Sequence, residues 1–231
     1  MMLPATGLIA QAGARATPAP LTLPTTNLLE AWDARSGITE AGTGVSSWLG
    51  LHAGHNAAQT NDAKRPSLTT TGGYASLLFN GTSDALQISG LTASASTKSI
   101  YAVVNPTTVG AAYRLILDVQ TGRLAFGTMS TGGGDWGVYD VANRDSGVDA
   151  TTGLQRLSAE VLSGSSRVWI NGTVGATTGW AADSAIGGNV AIGASSAATS
   201  FCFAGHILFL AIYTAARNTD VEDYITQEWG V

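Results

Sequence analysis

Short apolar or alternating runs, each closed by a cluster of Gly, Asn, Asp or Ser, recur along most of this chain and constrain it to strands. "NLLEAW", "SSWLG", "ASLLFN", "SIYAVVN", "YRLILDV", "RLAFGTM", "WGVYDV", "RLSAEVLS" and "NVAIG" are examples. Runs of this length and spacing predict a sandwich or a barrel. The plainest local signal is "SSRVWINGTVGATT". There Val168 and Ile170 alternate with Arg167 and Trp169, and Asn171-Gly172 supplies the type I′ turn whose twist suits a two-residue hairpin. Residues 203–213 carry apolar side chains at both parities, Ile207, Phe209 and Ala211 against Leu208, Leu210 and Ile212, which predicts a central strand covered on both sides. The period then changes. In "TDVEDYITQEWGV" Thr219 stands three residues before Glu222 as a capping box, and Val221, Ile225 and Trp229 recur at helical spacing. One short C-terminal helix is expected.

The chain carries 29 glycines in 231 residues, where about 16 would be ordinary, and only 12% charged residues. Glycine reaches positive φ without steric cost, so this composition suits many tight turns. Eleven basic and 16 acidic residues are spread without runs, giving a formal charge of −5 and no footprint for nucleic acid or an anionic membrane. No apolar stretch is long enough for membrane insertion. Cys202 is the single cysteine, so no internal disulfide can form, and its apolar surroundings mark it as a small buried residue. The first 26 residues are rich in Pro and Ala and lack the basic start of a signal peptide. We read residues 1–26 as an extended N-terminal arm, with Leu3, Leu8 and Ile9 as apolar assembly anchors, and residues 27–231 as one β-sandwich domain.

From Asn27 onward the order of features resembles the concanavalin A-like lectin/glucanase superfamily in its laminin-G-like branch. The residues that carry the resemblance are "LLEAWDARSGI", "VSSWLGLHAGHNAAQ", "SLLFNGTSDALQI", "SIYAVVNP", "VWINGTV", "VAIGA" and the terminal "FAGHILFLAIYTAARNTDVEDYITQEWGV". The resemblance implies a two-sheet antiparallel jelly-roll sandwich. It does not imply a function, because such folds host binding, hydrolysis and structural roles alike.

Glycoside hydrolysis needs two carboxylates facing one another across the scissile bond. Of the five glutamates, Glu222 and Glu228 fall on the expected helix and Glu160 reads as a solvent-facing strand residue, so no catalytic residue is assigned and no enzyme is expected. His52 and His55 sit in a loop, and spacing alone makes no metal site of them. Laminin-G-like domains often hold calcium on Asp and Asn oxygens. That leaves calcium as the one cofactor in view, with Asp84 as its weak candidate ligand, although Asn80, Gly81, Ser83 and Asp84 are equally what a turn requires.

A glycan site pairs an aromatic face with acceptors for hydroxyls. "STGGGDWGVYDVANRD" offers Asp135, Trp136, Tyr139, Asp140 and Asn143 behind three glycines, and Trp180 is a second candidate for display. Trp32, Trp48, Trp169 and Trp229 are assigned to packing.

Single laminin-G-like domains of this kind look like those of bacteriophage virions and bacterial surface proteins. With the arm, the main expectation is therefore a non-enzymatic virion structural protein, such as a capsid decoration, head-fibre or tail-associated component. The arm would join it to other virion proteins or to copies of itself, and the sandwich would face outward toward host glycan. The alternative is a secreted or surface carbohydrate-binding module.

Overall fold

The computed structural model describes residues 20–120, 124–129, 134–139, 142–162, 164–179, 185–198 and 200–231. In the first part of the chain lie β1 (Leu28–Asp33), β2 (Ile38–Ala41), β3 (Gly44–Trp48), β4 (Ala57–Ala58), β5 (Ser67–Thr71), β6 (Tyr74–Asn80) and β7 (Leu86–Ile88). The middle forms β8 (Lys98–Pro106), β9 (Arg114–Val119), β10 (Leu124–Thr128), β11 (Asp135–Tyr139), β12 (Asn143–Asp149) and β13 (Gln155–Leu162). There follow β14 (Ser165–Ile170), β15 (Thr173–Val174), β16 (Thr178–Gly179), β17 (Val190–Ile192), β18 (Ala204–Tyr213) and α1 (Thr219–Trp229).

These strands make two antiparallel sheets. The first runs β15-β14-β13-β8-β18-β6-β5, with β1 also paired to β18 and β16 to β14. The second runs β12-β11-β10-β9-β17-β7-β4-β3-β2. The fold is a jelly-roll sandwich, as the strand pattern and the resemblance implied.

Period-two alternation divides the central strand β8 between two apolar layers. Ile100, Ala102 and Val104 face the inter-sheet core with Trp32, Phe79, Phe126 and Trp136. Tyr101 and Val103 face outward and are covered by Val221, Ile225 and Trp229 of α1. That second layer is why β18, next to β8, is apolar at both parities. A register irregularity in β18 between Ile207 and Phe209 changes the expected assignment. Beyond it the parity flips, so Ile207 shares the inter-sheet core with Leu210 and Ile212, while Leu208, Phe209, Ala211 and Tyr213 face the helix. A β-bulge inserts one residue and cannot be seen in an all-apolar run.

The helix begins one residue earlier than its expected cap. Asn218, not Thr219, is the N-cap, and its side chain accepts the Asp220 N–H at 2.9 Å. Glu222 forms no capping box. Its carboxylate instead accepts from Ser158 Oγ at 2.6 Å and Arg217 Nε at 2.7 Å, joining the helix to the sheet. Glu160 is half-buried rather than solvent-facing and accepts the Arg217 N–H at 2.9 Å.

The described end of the arm lies on the domain. Tyr213 Oη donates to the Pro24 carbonyl at 2.6 Å, Leu21 N–H donates to Gln227 at 2.6 Å, and Leu23 packs into the helix-side layer. Leu3, Leu8 and Ile9 lie outside the described residues. Among the described residues no helix is long and apolar enough to cross a membrane.

Candidate functional site

The outward face of the second sheet carries the candidate site, and the strand register builds it. Tyr139 pairs with Ala125, Ala125 with Asp118, and Asp118 with Ala191. One cross-strand row therefore reads Tyr, Ala, Asp, Ala over four neighbouring strands. The small alanines leave room between the larger side chains, and the result is a cavity of about 440 Å³. Leu115, Ala125 and Val119 contribute its apolar part, Tyr113, Tyr139 and Phe201 its aromatic part, and Asp118, Gln120, Ser195 and Ser196 its polar part.

The aromatic wall is assembled by contact. Tyr113 lies edge-on to Tyr139, with ring centroids 6.3 Å apart, and to Phe201 at 5.2 Å. Asn143, opposite Tyr139 in the register, accepts from Tyr113 Oη at 2.6 Å. That bond holds the Tyr113 ring in place in the wall.

Phe201 is half exposed, and its backbone is held at φ +54°. Positive φ is an outlier for a bulky L residue and persists only where the surroundings impose it. The surroundings here are a tied loop. Ser195 N–H donates to the Ser200 carbonyl at 2.9 Å, the Ser195 and Ser200 hydroxyls are 3.1 Å apart, and Leu115 N–H donates to the Phe201 carbonyl at 2.9 Å. Ser196 N–H donates to Asp118 Oδ2 at 2.5 Å, fastening the loop to the sheet.

The aspartates further along the same face form a separate cluster. Asp135 pairs with Asp149, and Gly137 with Asp145, so all three carboxyls leave the sheet on the side of Tyr139. Burial, aided by hydrogen bonds with Asp145 and Asp149 and by their charge, pushes the Asp135 carboxyl up to about 7. A carboxyl raised in the folded state binds a proton that the unfolded chain has already lost. Its stabilising effect is present near pH 4 and is lost as pH rises toward 7. Asp135→Asn should therefore gain on the native protein as pH rises: little difference in Tm at pH 4.5, and an advantage of about 3–6 °C at pH 8. Thermal unfolding of both proteins across pH 4.5–8 checks this; parallel curves would mean that Asp135 is not raised in the folded protein.

Trp136 corrects the sequence reading. Its side chain is fully buried in the inter-sheet core, and Nε1 donates to Gln155 Oε1 at 2.8 Å. The three preceding glycines suggested a display loop, but β11 already begins at Asp135, and alternation then sends Trp136 and Val138 inward and Tyr139 outward. Of the expected glycan residues, the structure brings Tyr139 into the cavity and puts Asn143 behind it. Asp135 sits in the neighbouring cluster, 7% exposed. Asp140 and Trp180 lie outside the described residues.

Tyr113, Asp118, Gln120 and Phe201 were missed. A usable signal existed for Asp118, the one acid inside the apolar "RLILDV". For Phe201 there was none, since its display depends on a left-handed backbone.

Asp84 shapes a turn. Its Oδ2 accepts the Asn80 N–H at 2.9 Å, while Asn80 Oδ1 accepts the amides of Thr82, Ser83 and Asp84 at 2.8 to 3.2 Å around Gly81 at φ +76°. The bond runs four residues back, not two forward as a simple Asx turn would have it. Among the described residues no three His, Cys, Asp or Glu side chains are disposed to hold a metal ion. His52 and His55 belong to a loop folded on Glu30, which accepts their backbone amides at 2.7 and 2.8 Å. His206 shares a hydrogen bond with Ser76 Oγ at 3.1 Å, and burial lowers its pKa.

No protein-family model matches the sequence, and no curated protein matches it. Solved structures do match the fold. Domain 4 of AbnA, a GH43 extracellular arabinanase from Geobacillus stearothermophilus solved with arabinotriose, aligns with a TM-score of 0.61 at 14% identity, covering 86% of this chain and 98% of that one. Trypanosoma rangeli sialidase, in a complex with 2,3-difluoro-KDN, aligns with a TM-score of 0.60 at 13% identity over 89% of this chain. This chain spans only 33% of the sialidase. These likenesses establish a β-sandwich related in shape to domains of carbohydrate-active enzymes.

Proposed function

We propose that this protein is a carbohydrate-binding module that takes a short oligosaccharide segment in the cavity on the outer face of its second sheet. The observation that carries the reading is the combination of a cavity of about 440 Å³ with an aromatic wall, one member of which, Phe201, is held in a left-handed conformation at its rim. The volume lies within the roughly 300–1,000 Å³ usual for small-ligand sites. Tyr113, Tyr139 and Phe201 would pack on the C–H face of a sugar, as aromatic rings with a polar rim do. Asp118 would accept from hydroxyls, and Gln120, Ser195 and Ser196 would complete the polar fringe. The arabinanase domain, solved with arabinotriose and similar over nearly its whole length, supports this class of ligand.

Among the described lining residues Asp118 is the one carboxylate, which supports a binding role over a cleaving one. An extracellular or cell-surface setting suits that role. The virion role rests on the arm, of which residues 1–19 lie outside the described residues, and on a family resemblance to which these structural matches add no virion protein.

Titration calorimetry against a panel of neutral plant and bacterial oligosaccharides tests the proposal. Phe201→Ala and Tyr139→Ala should each weaken binding by about tenfold, roughly 1.4 kcal/mol. Phe201→Ala should leave Tm within about 2 °C, because the side chain is half exposed. Binding that survives both substitutions unchanged would place the sugar elsewhere.

A further inference from the structure

The charge pattern around the cavity carries the ligand class one step further. We infer that this site selects neutral glycans and rejects those bearing carboxylates, such as sialic or uronic acids. The inference rests on the carbohydrate reading of the cavity.

Among the described residues, the cavity lining has one carboxylate, Asp118, and no Arg, Lys or His. Farther along the same sheet face stand Asp135, Asp145 and Asp149, all projecting to the side of Tyr139. Of the described cations nearest to the lining residues in sequence, none lines the cavity. Arg114 extends toward the turn at Gly81, where a Cβ would lie 3.3 Å from its Nη1. Arg144 lies opposite Val138, at the inward parity of β11, and its Nη1 is 3.9 Å from a Cβ built on Gly179. Lys64 Nζ reaches the Ala198 carbonyl at 3.4 Å and lines no part of the cavity.

Ligand chemistry follows from these donors and acceptors. An ionised carboxylate such as Asp118 accepts hydrogen bonds and donates none, so it is served by sugar hydroxyls. A sugar carboxylate is likewise only an acceptor. It would need a guanidinium or ammonium partner of the kind that recognises such groups bidentately, and the described lining supplies none. Asp118 would repel it at close range, and the aspartate cluster would add a longer-range repulsion that salt screens. The chain's formal charge of −5 acts in the same direction. An acidic wall that excludes a like-charged competitor is specificity by repulsion, which needs no extra contact to the favoured ligand.

The test pairs neutral oligosaccharides with acidic counterparts: lactose with sialyllactose, which adds one acidic residue, and galactotriose with trigalacturonate of the same length. A set of neutral arabino- and xylo-oligosaccharides is titrated alongside, all by calorimetry on the full chain at pH 8. Where a neutral sugar binds, its acidic counterpart should bind at least tenfold more weakly in 20 mM salt, and the gap should narrow in 500 mM salt. Asp118→Asn keeps an oxygen for the Ser196 amide while removing the charge. It should bring the acidic sugar at least fivefold closer to its neutral counterpart. An acidic sugar that binds as well as its counterpart, or better, overturns the neutral-ligand inference and leaves the carbohydrate reading standing. If no sugar of either kind binds, the carbohydrate reading itself falls and this inference falls with it.

Discussion

Replacing Glu30 with alanine is expected to destabilise the protein by about 3–5 kcal/mol, or about 10 °C or more in Tm. Glu30 is fully buried, yet its carboxylate is surrounded by backbone donors. Oε1 accepts from Ala31 N–H at 3.0 Å and His52 N–H at 2.7 Å, and Oε2 from Ala53 N–H at 3.1 Å and His55 N–H at 2.8 Å. Gly50 permits this approach, because a Cβ there would sit 2.6 Å from the Glu30 carboxyl carbon. Alanine at position 30 would leave these amides without their shared acceptor and release the loop from β1. Urea unfolding measures the global effect. Hydrogen exchange at His52, Ala53 and His55 measures the local one, and all three amides should lose protection together. A loss below about 1 kcal/mol would mean that water can replace the carboxylate, and that the cradle is incidental.

Trp136→Ala should cost a similar amount, about 3–5 kcal/mol, through the cavity that it opens between the sheets. Gln155 loses its indole donor as well, at a further cost because the site is buried. The comparison with Phe201→Ala is the informative one. Trp136 should act on stability and on binding only through it, whereas Phe201 should act on binding with stability intact. Thermal unfolding of both variants, followed by titration at a temperature where each is folded, separates the two. A Trp136→Ala protein as stable as the parent but unable to bind sugar would return Trp136 to the surface and undo the assignment of faces to β11.

Where the two readings part, the reason is register. Trp136 looked displayed because three glycines precede it, but its facing depends on where β11 starts, and a shift of one residue exchanges the two faces of a strand. Phe209 was placed with Ile207 for the same reason, and the bulge between them separates the two. The candidate cavity was legible only in fragments. Tyr139 was picked out from its neighbourhood in the chain and does face the cavity. Its partners Asp118 and Ala191 come from strands far away in sequence, and Phe201 from a loop whose shape its neighbours impose.

What this sequence determined by itself was whatever is written within a few residues of itself. The Asn171-Gly172 hairpin forms as expected, with Asn171 and Gly172 at φ +50° and +81°, because the two turn residues carry the geometry themselves. The C-terminal helix buries Val221, Ile225 and Trp229 because their spacing already describes one helical face. The apolar run 203–213 became a strand covered on both sides because it has no polar face to offer water. The tertiary structure alone decided which alternate residues of each strand look outward, and which of them meet across the sheet. Strand pairing joins positions with no local sequence relation, so the Tyr139, Ala125, Asp118, Ala191 row exists only once the strands are in register. The hollow that it makes, with the rejection of acidic sugars that its charges predict, is a property of that pairing.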